Sequence, residues 1–157
     1  MVVHDGGPGE VAGDLELGRF SEAPHADVHR RHHCVTKWTK LDTKWLGVTV
    51  DTLLKAVQID PAGRYVTAYS DGGYTTNVPL DEMVNGQAFV AYQFDDKPLE
   101  PVHGGPARLV VLHLYFWKSA KWIRGFRFMD KNLPGFWESL GYHIHGDPWK
   151  EERYSGD

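Results

Sequence analysis

The chain has 157 residues, enough for one domain with a sizeable core but barely for two. Hydrophobic residues make up 41% and charged residues 24%, as in ordinary soluble globular proteins, and the net charge of −4 gives no support to binding of nucleic acid or anionic membranes. The single cysteine, Cys34, excludes an intrachain disulfide, and no apolar run reaches the roughly 20 residues that span a bilayer.

The first 22 residues are rich in glycine and poor in apolar side chains, which is typical of a flexible tail. We therefore expect residues 1–22 to be a tail and residues 23–157 to form the domain. The tail lacks the apolar core of a secretory signal, so a cytoplasmic protein is expected. Residues 20–28 show no periodicity and are predicted to be irregular.

A helix is predicted to begin at Val50. Apolar residues at positions 50, 53, 54 and 57 form one stripe of a helix, and Thr49 is placed to cap its N-terminus. Asp60-Pro61 and Gly63 would end this segment.

The remainder of the chain alternates between strands and turns. Residues Tyr65–Ser70 and Tyr74–Val78 flank the turn Asp71-Gly72-Gly73, which predicts a β-hairpin. Further elements are expected in chain order: a helical turn or two at Pro79–Val84, strands at Ala88–Phe94, Arg108–Phe116 and Trp122–Met129, and a short helix at Pro134–Leu140 that ends at Gly141. The predicted fold class is α+β, mostly β, with mixed sheets and short helices.

A cluster of possible metal ligands precedes these elements. His29, His32, His33 and Cys34 combine imidazole with thiolate, both good ligands for zinc or copper. Their spacing matches no standard zinc site and no second cysteine exists, so a buried structural cysteine beside surface histidines is the other open interpretation. A cysteine–histidine hydrolase that pairs Cys34 with His103 or His113 is a further alternative.

Two later segments have the composition of anion-binding loops. In the run His103-Gly104-Gly105-Pro106-Ala107-Arg108, the glycines allow close approach of the backbone to a ligand and the arginine can grip a phosphate. In Lys118-Ser119-Ala120-Lys121, two cations flank a hydroxyl. Taken alone, each segment could equally be a tight loop or a solvated turn.

Several motifs in sequence order resemble one family. The segment HCVTKWTKLDTKWLGV resembles the metal-ligand segment of the bacterial sulfite-oxidase-like molybdenum enzymes. The later segments that follow the order of that family are SDGGYTTNVPL, AFVAYQFDDKPLEPVHGGPARLVV, YFWKSAKWIRGFRFMD and PGFWESLGYHIHGDPWKEERY. The resemblance covers Ala23 to Tyr154 and implies the molybdopterin-binding fold of the sulfite oxidase family.

The resemblance also implies a cofactor and its contacts. The cofactor is molybdenum held by the two dithiolene sulfurs of one molybdopterin, and Cys34, the catalytic residue of the site, would supply a third sulfur as a soft thiolate ligand. The residues implied as contacts of the pterin or its phosphate are His33, Thr36, Asp71, His103, Arg108, Lys118, Ser119 and Lys121.

The implied reaction moves one oxygen atom and two electrons to or from a small sulfur-containing or oxyanion substrate, with an unknown electron-transfer partner. The segment before Cys34 is shorter than is usual in the family, and Leu112 stands where the family usually has proline. A truncated, non-catalytic binding module of the same fold is therefore a second hypothesis, and the zinc or copper site is a third.

Overall fold

The computed structural model describes residues 2–3, 13–14, 24–55 and 62–157. The strands in these ranges are β1 (Val2–Val3), β2 (Gly13–Asp14), β3 (Ala26–His33), β4 (Thr39–Thr49), β5 (Tyr65–Ser70), β6 (Thr75–Pro79), β7 (Ala88–Phe94), β8 (Lys97–Pro98), β9 (Arg108–Val111) and β10 (Ile123–Met129). The α-helices are short: α1 (Val50–Leu54) and α2 (Phe136–Ser139). Single 3₁₀ turns lie at Asp71–Gly73, Leu80–Glu82, Pro101–His103, Phe116–Lys118 and Pro148–Lys150.

The larger sheet has five strands in the order β3-β4-β7-β8, with β9 paired to β7, and each strand pair is antiparallel. Strands β7 and β9 are buried on both faces: Val90 packs in one hydrophobic cluster, whereas its neighbour Phe89 packs in the other. A strand covered on both sides needs apolar residues at successive positions, which explains their apolar runs.

The smaller sheet contains β10, β5 and β6 in that order, again antiparallel. It includes the predicted hairpin, in which Val66 and Ala68 point into the core and share one face of β5. The main core is built from both sheets and from α1, and it includes Val48, Leu53 and Phe128. The predicted α+β, mostly β fold class is confirmed.

The predicted helix begins at Val50 as expected, and the Thr49 hydroxyl accepts a hydrogen bond from the backbone N–H of Thr52 at 3.2 Å. The helix is shorter than its apolar stripe, because it ends at Leu54. The last position of the stripe, Val57, lies outside the described residues.

Two of the sequence predictions differ from the structure. The strand predicted over Arg108–Phe116 ends at Val111, and the chain then turns. The irregular segment predicted over residues 20–28 is wrong from Ala26 onward, where β3 begins. Strand β3 is an edge strand with alternately exposed charged side chains, so its sequence lacks the apolar pattern that indicates a strand.

Most of the predicted tail lies outside the described residues. Within residues 1–22, β1 pairs with β2 in an antiparallel ladder, with Val2 opposite Asp14. Of the described residues, none belongs to a helix long and apolar enough to cross a bilayer.

Candidate cofactor site

A cleft of about 290 Å³ opens beside the start of β9. Cations, a hydroxyl and aromatic rings form its walls: Tyr74, Arg108, Phe116, Trp117, Ser119, Lys121, Trp122 and Trp137. Both anion-binding segments predicted from the sequence therefore contribute to one cleft. Its combination of flat apolar walls with a few fixed polar groups is typical of a site for an organic cofactor.

Arg108 is buried at the floor of this cleft, and its guanidinium is only partly satisfied. Nη1 donates to the carbonyl of His103 at 2.9 Å and Nη2 donates to that of Ser119 at 2.8 Å, whereas the buried Nε has no partner. The guanidinium also lies 4.6 Å from the ring centroid of Phe116. Burial lowers the pKa of Arg108 to about 10, still far above neutrality, so the site keeps its positive charge.

The two glycines of the loop allow it to pack tightly around Arg108. Gly104 has a left-handed φ of 103°, and a Cβ there would lie 3.0 Å from the Cβ of Lys121. A Cβ on Gly105 would overlap the carbonyl oxygen of Leu99 at 2.0 Å. The Gly-Gly pair is thus required by close packing between this loop and its neighbours.

Lys121 provides the second cation of the cleft. Its Nζ donates to the carbonyl of Val102 at 2.8 Å and lies 5.6 Å from the ring centroid of Trp122. Burial, followed by the charge of Arg108, lowers the pKa of this lysine. An anion bound between the two cations would relieve their repulsion.

The other predicted residue of this basic segment, Lys118, does not line the cleft. Its side chain is fully buried and its Nζ donates to Glu138 at 2.7 Å and to the carbonyls of Asn77 and Ile144 at 2.8 and 2.7 Å. Burial lowers the pKa of Lys118, against the opposing effect of Glu138. Glu138 also accepts from the indole N–H of Trp117 at 3.0 Å, so the pair supports the cleft wall from behind.

The remaining predicted contacts near the cleft have different positions. Ser119 is buried, and its hydroxyl accepts the backbone N–H of Val111 at 2.9 Å. The side chain of His103 is exposed, and its backbone carbonyl accepts the hydrogen bond from Arg108. Asp71 is exposed and pairs with Arg124 at 2.5 Å, and it is absent from the cleft lining.

Cys34 lies in a tight turn between β3 and β4. Its backbone N–H donates to Trp38 at 2.9 Å, and Lys37, in a left-handed conformation with φ of 71°, donates its N–H to the carbonyl of Cys34 at 3.1 Å. The thiol is partly buried, and Sγ lies 3.0 Å from the hydroxyl of Thr36. The hydroxyl can donate a hydrogen bond to a thiolate at this position.

The strand that leads to Cys34 contacts the cleft directly. The ring of His32 stacks on Phe116 with centroids 4.2 Å apart, and an isolated parallel bridge joins His33 to Tyr115. Burial and the nearby charge of Arg108 lower the pKa of His32 to about 4, so this imidazole is neutral near pH 7. The Cys34 turn and the Arg108 cleft are therefore adjoining parts of one region.

The proposed zinc or copper cluster is not formed. Among the described residues, no group of three or more His, Cys, Asp or Glu side chains is arranged to hold a metal ion. Successive strand residues face opposite sides, so His32 packs on Phe116 whereas His33 contacts Trp149 edge-on, 5.3 Å away, and hydrogen-bonds to Thr39 at 2.9 Å.

The sequence did not single out the aromatic walls of the cleft. Tyr74, Trp117 and Trp137 come from distant parts of the chain, and the Tyr74 hydroxyl donates to the carbonyl of Trp117 at 2.5 Å. The high content of tryptophan was the available signal, but tryptophan indicates hydrophobic packing more often than ligand binding.

Comparison with protein families defines the class of protein. Residues 6–137 match the family model of the oxidoreductase molybdopterin binding domain, so the chain belongs to this family. The family assignment gives the cofactor class, molybdenum with molybdopterin, which the sequence motifs implied. The matched range begins inside residues 1–22, so the expected domain boundary at residue 23 stays a prediction.

Two curated relatives share most of this chain. An oxidoreductase of Bacillus subtilis, YuiH, is 46% identical over 125 residues, which are 80% of this chain and 63% of that protein. The catalytic subunit of the protein-methionine-sulfoxide reductase MsrP of Ralstonia nicotianae is 26% identical over 139 residues, which are 79% of this chain and 42% of that protein. The chain thus spans less than two thirds of the length of either relative.

A solved structure has the same fold. The sulfane dehydrogenase SoxCD of Paracoccus pantotrophus superposes with a TM-score of 0.67 and 19% sequence identity, covering 74% of this chain and 35% of that one. This likeness confirms the sulfite-oxidase-type fold that the sequence motifs implied.

The residues in place fit the implied cofactor. The unpartnered buried Nε of Arg108 is a donor without an acceptor, which a phosphate oxygen or a pterin acceptor would satisfy. The cleft adds Lys121 as a second cation and flat aromatic walls for a pterin ring. Cys34 follows His32, whose ring stacks on Phe116 in the cleft wall, by two residues, and its thiol is the soft donor that molybdenum requires.

Proposed function

We propose that this protein transfers one oxygen atom and two electrons to or from a small substrate, at a molybdenum held jointly by the Cys34 turn and the Arg108 cleft. The observation that carries the proposal is the contact between them: the ring of His32, two residues before Cys34, stacks on Phe116 in the cleft wall. One cofactor can therefore be gripped by both parts.

Each part has a separate role in the proposal. Arg108 and Lys121 hold the negative charge of the cofactor, with the buried Ser119 fixing the guanidinium through its carbonyl. Cys34 binds the metal as a thiolate, and Thr36 donates to the sulfur and orients it. When bound, the cofactor supplies two-electron redox chemistry and an exchangeable oxygen atom.

Other residues shape the environment of the cofactor. His32 is neutral near pH 7, so it contributes an aromatic surface without a further positive charge beside Arg108. The aromatic walls exclude water and strengthen the electrostatic contacts within the cleft. Roles for His33, Asp71, His103 and Lys118 in binding the cofactor stay predictions.

A small sulfur-containing or oxyanion substrate is the class that fits best. The names of the methionine-sulfoxide reductase and of the sulfane dehydrogenase both refer to sulfur compounds, which supports a sulfur substrate here by analogy. The electrons would pass to or from a separate electron-transfer partner. The cytoplasmic location stays a prediction from the sequence.

The proposal is tested by cofactor content and turnover. Protein expressed in a host that makes molybdopterin should contain close to one equivalent of molybdenum and of pterin, and it should oxidise sulfite with an artificial electron acceptor or reduce a sulfoxide with a reduced dye. In Cys34→Ser, turnover should be abolished, because the harder serine oxygen replaces the thiolate.

Leu41→Ser is the matched control, because its exposed side chain lies in the strand that follows the same turn. It should keep molybdenum and activity. A well-folded wild-type protein that acquires no molybdenum would favour the non-catalytic binding module, and full activity of Cys34→Ser would remove the thiolate role.

A further inference from the structure

The C-terminal segment, residues 141–157, lies beyond the range that matches the family model, yet it packs behind the cleft wall. The carbonyl of Gly146 accepts the backbone N–H of Tyr115 at 2.8 Å. A Cβ on Gly146 would meet the ring of Trp117 at 2.8 Å, so the segment directly contacts a residue that lines the cleft. The position of the segment therefore affects the shape of the candidate site.

His145 joins this segment to the rest of the protein. Its Nε2 lies 2.7 Å from Oε1 of Glu82, in the 3₁₀ turn after β6, and its Nδ1 lies 2.9 Å from Oε2 of Glu152, in the segment itself. The same oxygen of Glu152 accepts the backbone N–H of Asp147 at 3.0 Å. None of the three interacting side chains is more than 25% exposed, so water screens their contacts only partly.

This arrangement requires a proton on each ring nitrogen of His145. Burial raises the pKa of Glu82, but hydrogen bonds from His145 and His113 lower it below its ordinary value, so the carboxylate is ionised near pH 7. An ionised carboxylate accepts hydrogen bonds and donates none, and imidazolium is the form of histidine with two N–H groups. With Glu82 and Glu152 both ionised, a neutral ring would leave one nitrogen lone pair facing a carboxylate oxygen.

Two further histidines contact the same carboxylates but do not bridge them. Nε2 of His113 lies 2.6 Å from the other oxygen of Glu82. Nδ1 of His143 lies 3.4 Å from Glu152, but it accepts two backbone N–H groups of the segment at 3.2 Å each, so it brings no proton to the carboxylate. Among the described residues, His145 is thus the imidazole that links the two carboxylates.

Other charged groups around His145 are offset by partners of opposite sign. Three titratable groups border the same cavity as His145: Arg64, Tyr65 and Asp81. The charges of this arginine and this aspartate have opposite signs. Lys118 pairs with Glu138 at 2.7 Å, and Asp147 pairs with Lys150 at 3.6 Å. The two carboxylates at hydrogen-bond distance therefore dominate the charge around the imidazole.

We propose that His145 is a proton-dependent clamp, which holds the C-terminal segment in place when both ring nitrogens are protonated and loosens it when one proton is lost. Loss of a proton breaks the link to Glu82 or the link to Glu152, depending on which nitrogen keeps its hydrogen. Because the segment contacts Trp117, a rise in pH then loosens the wall of the cleft. This inference goes beyond the proposed oxygen-transfer function and does not depend on it.

The clamp is tested by nuclear magnetic resonance of the full 15N-labelled chain, as purified, between about pH 5.5 and pH 9. The ring 15N signals of His145 report how many nitrogens are protonated. Protection factors against hydrogen exchange are measured for the backbone N–H groups of Tyr115, which bonds to the segment, and Asp147, which bonds to Glu152. We expect at least one of them to fall about tenfold or more with the same midpoint as the loss of the His145 proton.

Two variants separate the proton from the contact. In Glu152→Gln, the amide both accepts and donates hydrogen bonds, so it can bond to the ring in either protonation state. Protection should then stay high over the whole pH range. In His145→Gln, the side chain can donate to one carboxylate only, so protection should be low by about tenfold at every pH. Backbone amide spectra that match the wild type outside residues 141–157 show that such a loss is local.

His29→Gln is the matched control, because it removes an exposed histidine of β3 and should keep the wild-type transition. Protection that stays constant while His145 loses a proton overturns the clamp. Wild-type protection in His145→Gln, or an unchanged transition in Glu152→Gln, overturns it as well. If His145 keeps both ring protons up to about pH 9, low protection in His145→Gln supports the clamp and wild-type protection rejects it.

Discussion

Two buried cations that look alike in the sequence have different surroundings. Arg108 leaves Nε without a partner beside the cleft, whereas the ammonium of Lys118 is enclosed by Glu138 and two backbone carbonyls. A buried cation with an unpartnered N–H indicates a position where a ligand can bind, whereas a buried cation whose N–H groups all have acceptors indicates a structural role. This difference depends on which groups surround each side chain, so the sequence alone could not separate them.

The structural role of Lys118 predicts a large effect on stability. Lys118→Met leaves the carboxyl group of Glu138 buried without its cation, so the free energy of unfolding should fall by about 3–5 kcal/mol. In the double variant Lys118→Met/Glu138→Leu, most of this loss should be recovered, because no charge then remains unpaired. Urea denaturation of both variants measures the difference.

Lys131→Met is a control, because it removes an exposed lysine and should change stability by less than about 0.5 kcal/mol. If Lys118→Met lowered the free energy of unfolding as little as Lys131→Met does, the ion pair would not support the cleft wall.

At the scale of elements, the 3₁₀ turn Leu80–Glu82 is joined to the C-terminal segment through Glu82. Its carboxylate oxygens lie 2.7 Å from Nε2 of His145 and 2.6 Å from Nε2 of His113. Burial raises the pKa of Glu82, but the hydrogen bonds and charges of the two histidines outweigh it, and the pKa is lowered overall from its ordinary 4.5. The ionised carboxylate thus stabilises this junction.

This lowered pKa predicts a pH dependence. The carboxyl group of Glu82 binds a proton more readily in the unfolded chain than in the folded one. Its contribution to the free energy of unfolding is therefore present above the unfolded pKa and is lost as the pH falls through the folded pKa. The thermal midpoint of the wild type should fall more between about pH 6 and pH 3 than that of Glu82→Gln. Glu100→Gln, a change at an exposed carboxylate, should follow the wild type.

Calorimetry measures the thermal midpoints of the wild type, Glu82→Gln and Glu100→Gln over the same pH range. Parallel curves for the wild type and Glu82→Gln would contradict the role of this carboxylate in acid sensitivity.

Elements with strong local signals were the predictable ones. The apolar run Ala88–Phe94 predicted β7 with the bounds that the structure has, because a strand buried on both faces needs consecutive apolar residues. The turn residues Asp71-Gly72-Gly73 predicted the position of the hairpin, because turn formation depends on neighbouring residues. Strand β3 was missed, since its pairing with β4 and its contact with Phe116 come from distant residues.

Across the whole molecule, the ordered motifs identified the fold, whereas the roles of the site residues stay predictions. They placed Arg108 and Lys121 in a common site, and the cleft contains both. The motifs could not show that Arg153 comes beside the Cys34 turn, because this contact follows from how the C-terminal segment packs against Tyr115 and Trp117. Long-range packing of this kind leaves no local pattern.

We expect Cys34 and the cleft to hold the same molybdenum cofactor, and X-ray absorption at the molybdenum edge measures the sulfur ligation that this claim requires. Purified wild-type protein should give three sulfur neighbours of the metal, two from the dithiolene and one from Cys34, and Cys34→Ser should give two. Identical sulfur coordination in the two proteins would contradict the claim.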